Sequence, residues 1–238
     1  MRRLLAVLFL VTVITVPISH YQQIAKQWKP GEVQKLINTT VITFVQSSSK
    51  DWVGTGVFID RKGTILTASH IVDKIDITDV VAVTHNNKKY LCEIIVTDRR
   101  RDLGIIRVLE SAQRFPYARL QKSTKIFQGQ EVLIIGHPYE LFWTVTRGIV
   151  SRIYLYVPYF TWRFDTDAVI NPGNSGGPAF NEKGEIIGIV SAMHVTWDGI
   201  PIGIGVVVPI NEIKQFLKIN GYKIYKPFPK PRLRMGDL

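Results

Sequence analysis

Short runs of β-branched and other apolar residues, each bounded by turn residues, recur along most of the chain and predict strands. The runs form two groups, separated by a predicted loop near residues 113–125. The first group comprises 41–46, 54–59, 80–84, 91–96 and 104–108, and the second comprises 131–135, 144–156, 167–170, 177–180, 186–194 and 203–208. This pattern predicts an all-β chain with two strand-rich halves.

Two segments have the spacing of helices rather than strands. Residues 33–37 predict a short helix, and residues 211–219 predict a second helix that ends near Asn220-Gly221, a pair that suits a C-terminal cap. With 238 residues, of which 46% are hydrophobic, the chain can bury a sizeable core. This length suits a single domain built from the two strand-rich halves and leaves few residues for a second large domain.

The segment Gly173-Asn174-Ser175-Gly176-Gly177 places a serine hydroxyl in a turn with glycines on both sides. Glycine tolerates the backbone angles of a tight turn, so neighbouring N–H groups can point towards the space beside the hydroxyl. Such a group of donors is what a tetrahedral oxyanion requires. Ser175 is therefore a candidate nucleophile, although the same five residues also suit an ordinary hairpin turn.

A serine hydroxyl is a weak nucleophile at neutral pH and needs a base that a third group orients. His70 ends an apolar run that begins at Gly63, and we expect this strand to deliver the imidazole to a loop. Asp102 opens the apolar run 102–108, where a buried carboxylate would fix the histidine tautomer and stabilise the imidazolium. Taken singly, the histidine also suits a solvated strand end and the aspartate also suits a closed turn.

The order His70, Asp102, Ser175 is that of the chymotrypsin-like fold, and the surrounding segments resemble HtrA/Deg-type trypsin-like serine proteases. The resemblance covers most of the chain between residues 33 and 220. Its matching segments are 54–59, 67–72, 98–103, 136–138, 144–151, 166–178 and 203–209. Several spaced matches in one order are a specific signal, stronger than any short motif.

The resemblance implies two six-stranded antiparallel β-barrels, one in about 33–118 and one in about 119–220, with the active cleft between them and a short C-terminal helix. It also implies a serine endopeptidase that acts on unfolded or misfolded extracytoplasmic polypeptides, and a homotrimer. Family members often carry a PDZ domain after the protease domain, but only a short tail follows residue 220 here, so regulation through a PDZ domain is not expected. The alternative is a catalytically silent, peptide-binding or chaperone module on the same scaffold.

In this fold the oxyanion donors are expected to be the backbone N–H groups of Gly173 and Ser175, with Asn174 contributing to the turn. The floor of the substrate pocket is expected six residues before the nucleophile, at Val169, next to Ile170. Valine supplies no counter-charge for a Lys or Arg side chain, so small or medium apolar side chains are expected to fit best.

The segment Ser191-Ala192-Met193 is expected to wall the same pocket and to pair with an extended substrate. The alternative is that Val169 and Met193 are ordinary core residues.

Residues 1–19 combine Arg2 and Arg3 with the apolar stretch 4–18, which predicts an export signal or a membrane anchor. The apolar run is short for a full span, which favours a cleaved signal, whereas the lack of a clean small-x-small cleavage site favours an anchor. A buried N-terminal strand is the structural alternative. We expect the protease domain to work outside the cytoplasm, whether exported, periplasmic or membrane-anchored.

The chain carries 30 Lys plus Arg against 19 Asp plus Glu, a formal net charge of +11. Basic residues alternate with prolines in the tail 221–238, which predicts an extended segment able to touch an anionic membrane surface. Scattered charge more often serves solubility, so we expect no dedicated nucleic-acid binding. The run Arg99-Arg100-Arg101 is interpreted as a solvated loop that also favours an ionised Asp102.

Cys92 is the only cysteine, so no intramolecular disulfide can form, and its apolar run indicates a buried structural thiol. No paired Cys or His spacing predicts a metal site, and no cofactor is expected. His137 is the competing candidate for a general base, but its neighbours Gly136 and Pro138 mark a tight turn and favour a structural role.

Overall fold

The computed structural model describes residues 28–109, 113–157, 159 and 161–222. The N-terminal segment 1–19, with its predicted signal or anchor, lies outside these residues, and so does the predicted basic tail apart from residues 221 and 222. The described fold consists of two groups of strands with three α-helices. Within this part of the chain, no helix combines the length and the apolar character needed to cross a bilayer.

The first group of strands closes into a six-stranded antiparallel barrel. Each strand pairs with two neighbours in the order β1-β2-β3-β6-β5-β4, and β4 pairs back onto β1. Phe58, Ile65 and Ile106 fill the interior and have no exposed surface. The strands are β1 Thr40–Ser47, β2 Trp52–Phe58, β3 Thr64–Thr67, β4 Ile77–Thr84, β5 Lys89–Asp98 and β6 Leu103–Val108.

The second group also closes through six antiparallel strands, because β11 pairs with both β8 and β12. The strands of the second group are β7 Arg119–Leu120, β8 Glu131–Gly136, β9 Thr144–Tyr156, β10 Thr161–Thr166, β11 Pro178–Phe180, β12 Glu185–Val195 and β13 Pro201–Pro209. The two-residue strand β7 adds to β12 in parallel, outside the closed circuit. The prediction of two six-stranded antiparallel barrels is confirmed, with this one parallel addition.

The helices lie at α1 Pro30–Ile37, α2 Ser69–Val72 and α3 Ile210–Ile219. Helix α1 begins three residues before the predicted helix 33–37, because Pro30 suits the first helical position. Helix α3 ends at Ile219, and it is capped by Asn220 and followed by Gly221 at a φ of 75°, which confirms the predicted cap.

A shared apolar cluster holds the two barrels against each other. Leu66 of the first barrel belongs to the same cluster as Ile135 and Phe180 of the second, and helix α3 adds Phe216. Full burial of a side chain of this size contributes about 1.5–3 kcal/mol. The cluster therefore fixes the barrels relative to each other and determines which residues face each other across the cleft.

The predicted strand 167–170 is wrong, and the structure has β10 at Thr161–Thr166 instead. Arg163 and Asp165 of β10 are only 4% and 3% exposed. Charged residues at buried positions hide the apolar periodicity by which a strand is recognised in a sequence. Strand β7 lies inside the predicted loop 113–125 and is too short to show any periodicity.

Candidate active site

His70 lies on helix α2, a single turn that directly follows strand β3. The predicted loop is therefore a one-turn helix. Ala68, Ile71 and Val72, which surround His70 in the chain, are buried in the core of the first barrel and anchor this turn. The histidine side chain is 42% exposed, so its ring is accessible from the cleft.

Asp102 precedes strand β6 and has a φ of 58°, a left-handed conformation that is uncommon outside glycine. Both carboxylate oxygens lie 2.9 Å from Nδ1 of His70. Oδ1 also accepts the backbone N–H of His70 and the hydroxyl of Ser69, each at 3.0 Å, and Oδ2 accepts the hydroxyl of Ser191 at 2.6 Å. Burial raises the pKa of this carboxyl, but the hydrogen bonds and charge of His70 and the Ser191 hydrogen bond outweigh burial and hold the pKa below its ordinary value.

Ser175 lies in the turn between β10 and β11, and the first barrel holds this turn through Thr55 of β2. The Thr55 backbone N–H donates to the Ser175 carbonyl at 2.8 Å, and the Thr55 hydroxyl donates to the Gly173 carbonyl at 2.7 Å. Gly173 and Gly176 have φ angles of 103° and 84°, and a Cβ on either would lie 2.2 or 2.1 Å from a backbone oxygen. Only glycine fits these two positions.

Ser191 contacts both halves of the site. Its hydroxyl donates to Asp102, and its carbonyl accepts the hydroxyl of Ser175 at 3.4 Å. Among the described residues, no hydrogen bond joins Ser175 directly to His70. Because a carboxylate only accepts, Nδ1 of His70 carries the proton and Nε2 of the neutral ring is left as an acceptor. Ser191 is predicted from the sequence only as part of the pocket wall, because these two contacts join residues far apart in the chain and leave no local pattern.

The Ser175 turn leaves two backbone N–H groups without an acceptor in the described part of the chain, those of Gly173 and Ser175. The N–H between them is used internally, because Asn174 donates to the Asn171 carbonyl at 3.0 Å. The Asn174 side chain is 2% exposed and lies directly against Gly136, so it supports the turn from inside the barrel.

The peptide between Pro172 and Gly173 sets the direction of one of these free donors. The Pro172 carbonyl accepts the backbone N–H of Tyr139 at 3.0 Å. In a trans peptide the C=O and the following N–H point in opposite directions, so the Gly173 N–H is turned away from Tyr139. Tyr139 and the next residue, Glu140, hold left-handed φ angles of 48° and 64°, so a strained loop makes this contact.

The predicted pocket residues lie in different environments. Val169 is 56% exposed, and its carbonyl accepts the hydroxyl of Thr146 at 3.0 Å. Ile170 is 9% exposed and belongs to the core of the second barrel, and Met193 packs against the same core. Val169 is therefore not a core residue, whereas Ile170 is.

A cleft of about 470 Å³ opens beside the pair of His70 and Asp102, and Ser191 and Ala192 line it. The rest of its lining consists of Ser69 and three charged residues, namely Asp73, Lys74 and Arg99. The hydrogen bond from Arg99 lowers the pKa of Asp73. Charged side chains thus stand at the cleft beside the histidine, whereas Ile170 lies in the apolar core of the second barrel.

The interpretation of Arg99-Arg100-Arg101 as a solvated loop is wrong for Arg101. The side chain of Arg101 is only 16% exposed and pairs with Asp98 at 2.7 Å and with Glu212 of helix α3 at 3.1 Å. Arg99 is exposed but is held by Asp73. The run is therefore a structured turn in front of Asp102.

His137 is fully buried, and its Nδ1 accepts the backbone N–H of Trp143 at 3.0 Å. Burial lowers the pKa of His137 to about 4, so the ring is neutral at pH 7. In the described part of the chain, its ring makes no hydrogen bond to His70, Asp102 or Ser175. The structure therefore agrees with a structural role for His137.

Cys92 is 8% exposed, and burial raises the pKa of its thiol to about 12, so the thiol stays protonated and unreactive at pH 7. Among the described residues, no group of three or more His, Cys, Asp and Glu side chains is arranged to hold a metal ion.

The profile of the trypsin-like peptidase domain matches residues 54–189, more than half of the chain. The chain belongs to this family. The matched span of this trypsin-like peptidase includes His70, Asp102 and Ser175.

Relatives of this trypsin-like peptidase include two proteins named probable periplasmic serine endoprotease DegP-like. The one from Marinomonas sp. (strain MWYL1) is 36% identical over 69% of this chain and 34% of its own length. The one from Buchnera aphidicola subsp. Baizongia pistaciae is 39% identical over 68% of this chain and 35% of its own length. The chain thus spans about a third of the length of these curated relatives. They confirm the resemblance to HtrA/Deg proteases.

The fold of this trypsin-like peptidase is similar to that of the HtrA-type protease AlgW, solved with a tripeptide. The TM-score is 0.68, with 24% sequence identity, over 80% of this chain and 64% of the other. This similarity confirms the fold.

Proposed function

We propose that this chain is a serine endopeptidase that cleaves polypeptides with Ser175 as nucleophile, His70 as general base and Asp102 as the group that orients the histidine. One observation carries the proposal: Ser191 binds the buried carboxylate of Asp102 with its hydroxyl and the hydroxyl of Ser175 with its carbonyl. A nucleophile, a base and an orienting carboxylate within reach of one another are the parts that acyl transfer by serine requires.

In the proposed reaction, Oγ of Ser175 attacks the substrate carbonyl carbon while its proton passes to Nε2 of His70. Asp102 stabilises the imidazolium through the 2.9 Å contact with Nδ1. The C–N bond then breaks as Nε2 returns its proton to the leaving amine. A water molecule, deprotonated by the same nitrogen, next attacks the acyl carbon; the bond to Oγ of Ser175 then breaks as Nε2 returns the proton to Oγ, which releases the product acid and restores the free enzyme.

The free N–H groups of Gly173 and Ser175 are the proposed donors to the tetrahedral oxygen. One donor of this kind is worth about 3 kcal/mol of barrier in related chemistry. The contact between Tyr139 and Pro172 supports this role, because it turns the Pro172 carbonyl away from the proposed hole.

The Ser175 hydroxyl must leave the Ser191 carbonyl in order to reach His70. The bond between them is 3.4 Å long, beyond the usual range for a hydroxyl donor, so little energy opposes its loss. Rotation about χ1 moves a hydroxyl between staggered positions, and catalytic hydrogen bonds often tighten only when substrate is bound.

The proposed substrates are unfolded or misfolded extracytoplasmic polypeptides, cleaved after small or medium apolar residues at a pocket floored by Val169. The two relatives, whose names include the word periplasmic, support work outside the cytoplasm. Assembly as a homotrimer and contact with a membrane through 1–19 and the basic tail 221–238 are further parts of the proposal, as in the family that the sequence resembles.

A fluorophosphonate probe tests the nucleophile directly. We expect mass spectrometry to locate the label on Ser175 of the wild type, and we expect Ser175→Ala to remain unlabelled and unable to cleave casein. Ser123→Ala, at an exposed serine, is the matched control and should be labelled like the wild type. Labelling that survives in Ser175→Ala rejects the assignment. A folded wild type that neither reacts nor cleaves casein favours the silent peptide-binding module instead.

A further inference from the structure

Arg163 of strand β10 is a buried arginine that reaches from the second barrel to the first. Arg163 as a whole is only 4% exposed to solvent. Nη1 donates to the Thr161 hydroxyl at 3.0 Å and to the Trp162 carbonyl at 2.8 Å. Nη2 donates to the carbonyls of Arg100 and Arg101 at 3.3 and 3.0 Å. The guanidinium thus bridges its own strand and the turn in front of Asp102.

This arginine has no carboxylate within ion-pair distance in the described part of the chain. Burying a guanidinium without such a partner is costly, so the contacts that it does make must offset a large desolvation penalty. Burial lowers the pKa of Arg163, and the negative charges of Asp102 and Glu212 raise it. The positive charge of Arg163 therefore interacts with the carboxylate of the proposed triad from beyond ion-pair distance.

The turn whose carbonyls accept hydrogen bonds from Arg163 is strained. Asp102 has a φ of 58°, and a left-handed conformation costs a residue other than glycine roughly 1–2 kcal/mol. Strain of this kind persists only where the surrounding structure over-determines it. Two carbonyls directly before Asp102 accept hydrogen bonds from Nη2 of Arg163, while Nη1 ties the same planar guanidinium to strand β10, and together these bonds provide such a constraint.

Glu212 of helix α3 binds the same turn at a second point. Glu212 accepts Nε of Arg101 at 3.1 Å and the backbone N–H of Trp162 at 3.0 Å, and Arg101 also pairs with Asp98. Strand β10 of the second barrel therefore holds the 98–102 turn at its carbonyls through Arg163, and helix α3 holds a side chain of the turn through Glu212. These contacts cross between the two barrels, and Asp102 lies at the end of the turn.

We propose that Arg163 is a positioning residue that locks the 100–101 backbone so that the Asp102 carboxylate faces Nδ1 of His70. The inference rests on the proposed function, since it requires Asp102 to orient the general base. Arg163 acts on the reaction only through the turn and through its charge. Its loss leaves substrate binding intact while the chemical step slows.

Two substitutions separate the two contributions of Arg163. Arg163→Met removes both the fork and the charge, so we expect kcat to fall by about 10- to 100-fold with KM little changed, since a small misplacement of a catalytic group has this effect. We also expect the acid limb of the pH profile of kcat/KM to move to higher pH, because loss of a cation makes nearby groups easier to protonate. Arg163→Lys keeps the charge but cannot reproduce the fork, so kcat should fall while the acid limb stays in place.

Arg147→Met is the matched control, because the exposed guanidinium of Arg147 pairs with Glu131 and makes no contact with the 98–102 turn. It removes the same charge and should behave as the wild type in kcat and in pH profile. Circular dichroism and thermal unfolding report whether each variant is folded. If Arg163→Met does not fold, Arg163→Lys decides, because the proposal requires its kcat to fall.

The rate of fluorophosphonate labelling distinguishes failure of this inference from failure of the proposed function. Labelling of the wild type at Ser175, together with slowed labelling of folded Arg163→Lys, supports the positioning role. Wild-type labelling rate and kcat in folded Arg163→Lys overturn it and leave the proposed function standing. A wild type that is not labelled overturns both.

Discussion

Ser191 donates its hydroxyl to Oδ2 of Asp102 at 2.6 Å, although 89 positions separate the two residues in the chain. The bond crosses the cleft, because Ser191 lies on β12 of the second barrel and Asp102 lies beside β6 of the first. Hydrogen bonds to a charged group are stronger than those between neutral groups. The orientation of the carboxylate therefore depends on how the two barrels dock.

Substitution Ser191→Ala should lower kcat by about 10-fold, because a hydrogen bond to a buried charge contributes about 1.5–3 kcal/mol and the carboxylate loses one of its donors. Ser191→Thr keeps a hydroxyl and should retain most of the activity. Steady-state cleavage of a peptide substrate measures both effects. Equal kcat in Ser191→Ala and the wild type would show that this hydroxyl does not support the reaction.

Substitution Asp102→Asn should lower kcat by about 10⁴-fold without unfolding the protein, because an amide group stabilises the wrong histidine tautomer and carries no charge. Casein cleavage and circular dichroism measure the two expectations. The matched control is Asp79→Asn, at an exposed position on β4, which should leave cleavage unchanged. Full activity in Asp102→Asn would remove this carboxylate from the triad.

Substitution Gly173→Ala should slow fluorophosphonate labelling by about 100-fold, because the new Cβ would lie 2.2 Å from the His137 carbonyl and displace a proposed oxyanion donor. The control is Gly129→Ala, whose φ of 83° imposes similar backbone strain but whose Cβ would meet no atom within 4 Å. Gly129→Ala should lose only about 1–2 kcal/mol of unfolding free energy and keep its labelling rate. Equal labelling rates in the two variants would contradict the role of Gly173.

Substitution Val169→Asp should create cleavage after Lys and Arg, because a carboxylate at the pocket floor supplies the missing counter-charge. Val169 is 56% exposed, so the carboxylate can be introduced without full desolvation. A peptide library read by mass spectrometry reports the residue before each cleaved bond. Val157→Asp adds the same charge at another exposed position and should not change the preference. An unchanged preference in Val169→Asp would show that the pocket floor lies elsewhere.

Buried His137 should make stability depend on pH. Its folded pKa of about 4 lies below the ordinary 6.5, so the unfolded chain binds a proton first as the pH falls. Above pH 6.5, His137 should therefore not lower the unfolding free energy. Between pH 6.5 and about 4, the unfolding free energy should fall by about 3 kcal/mol in total. Urea titrations at pH 7 and pH 4.5 measure the change. His137→Asn cannot bind this proton, so its stability should change less over the same range; an identical change would assign the effect to other groups.

Much of the fold could be predicted from local patterns. Strand β9 spans the predicted residues 144–156, and helix α3 begins one residue before its predicted start. Such agreement is expected where apolar periodicity follows burial, because one face of each element then shows in the spacing of its residues. The tight turn around Ser175 could be predicted equally well from its glycines, since only glycine tolerates both the backbone angles and the close oxygen contacts of that turn.

The failures occur where burial and residue type disagree. Strand β10 buries Arg163 and Asp165, and these charged residues interrupt the apolar periodicity that indicates a strand. The sequence pattern predicts a strand at 167–170 instead. The run 99–101 looked solvated because three arginines adjoin one another, yet Arg101 is held by Glu212 of a helix more than a hundred residues away. Burial of the Arg101 side chain depends on its ion pair with Glu212, and Glu212 comes from a distant part of the chain.

The sequence by itself determined that the chain forms two sets of strands, that glycines surround Ser175, and that His70, Asp102 and Ser175 each lie within a few residues of a strand end. These properties depend on neighbouring residues and therefore leave a local pattern. Only the tertiary structure decided that Ser191 joins Asp102 to Ser175 and that Arg163 grips the turn before Asp102. Both contacts join the two barrels, and they exist because the shared apolar core brings distant segments within hydrogen-bond distance.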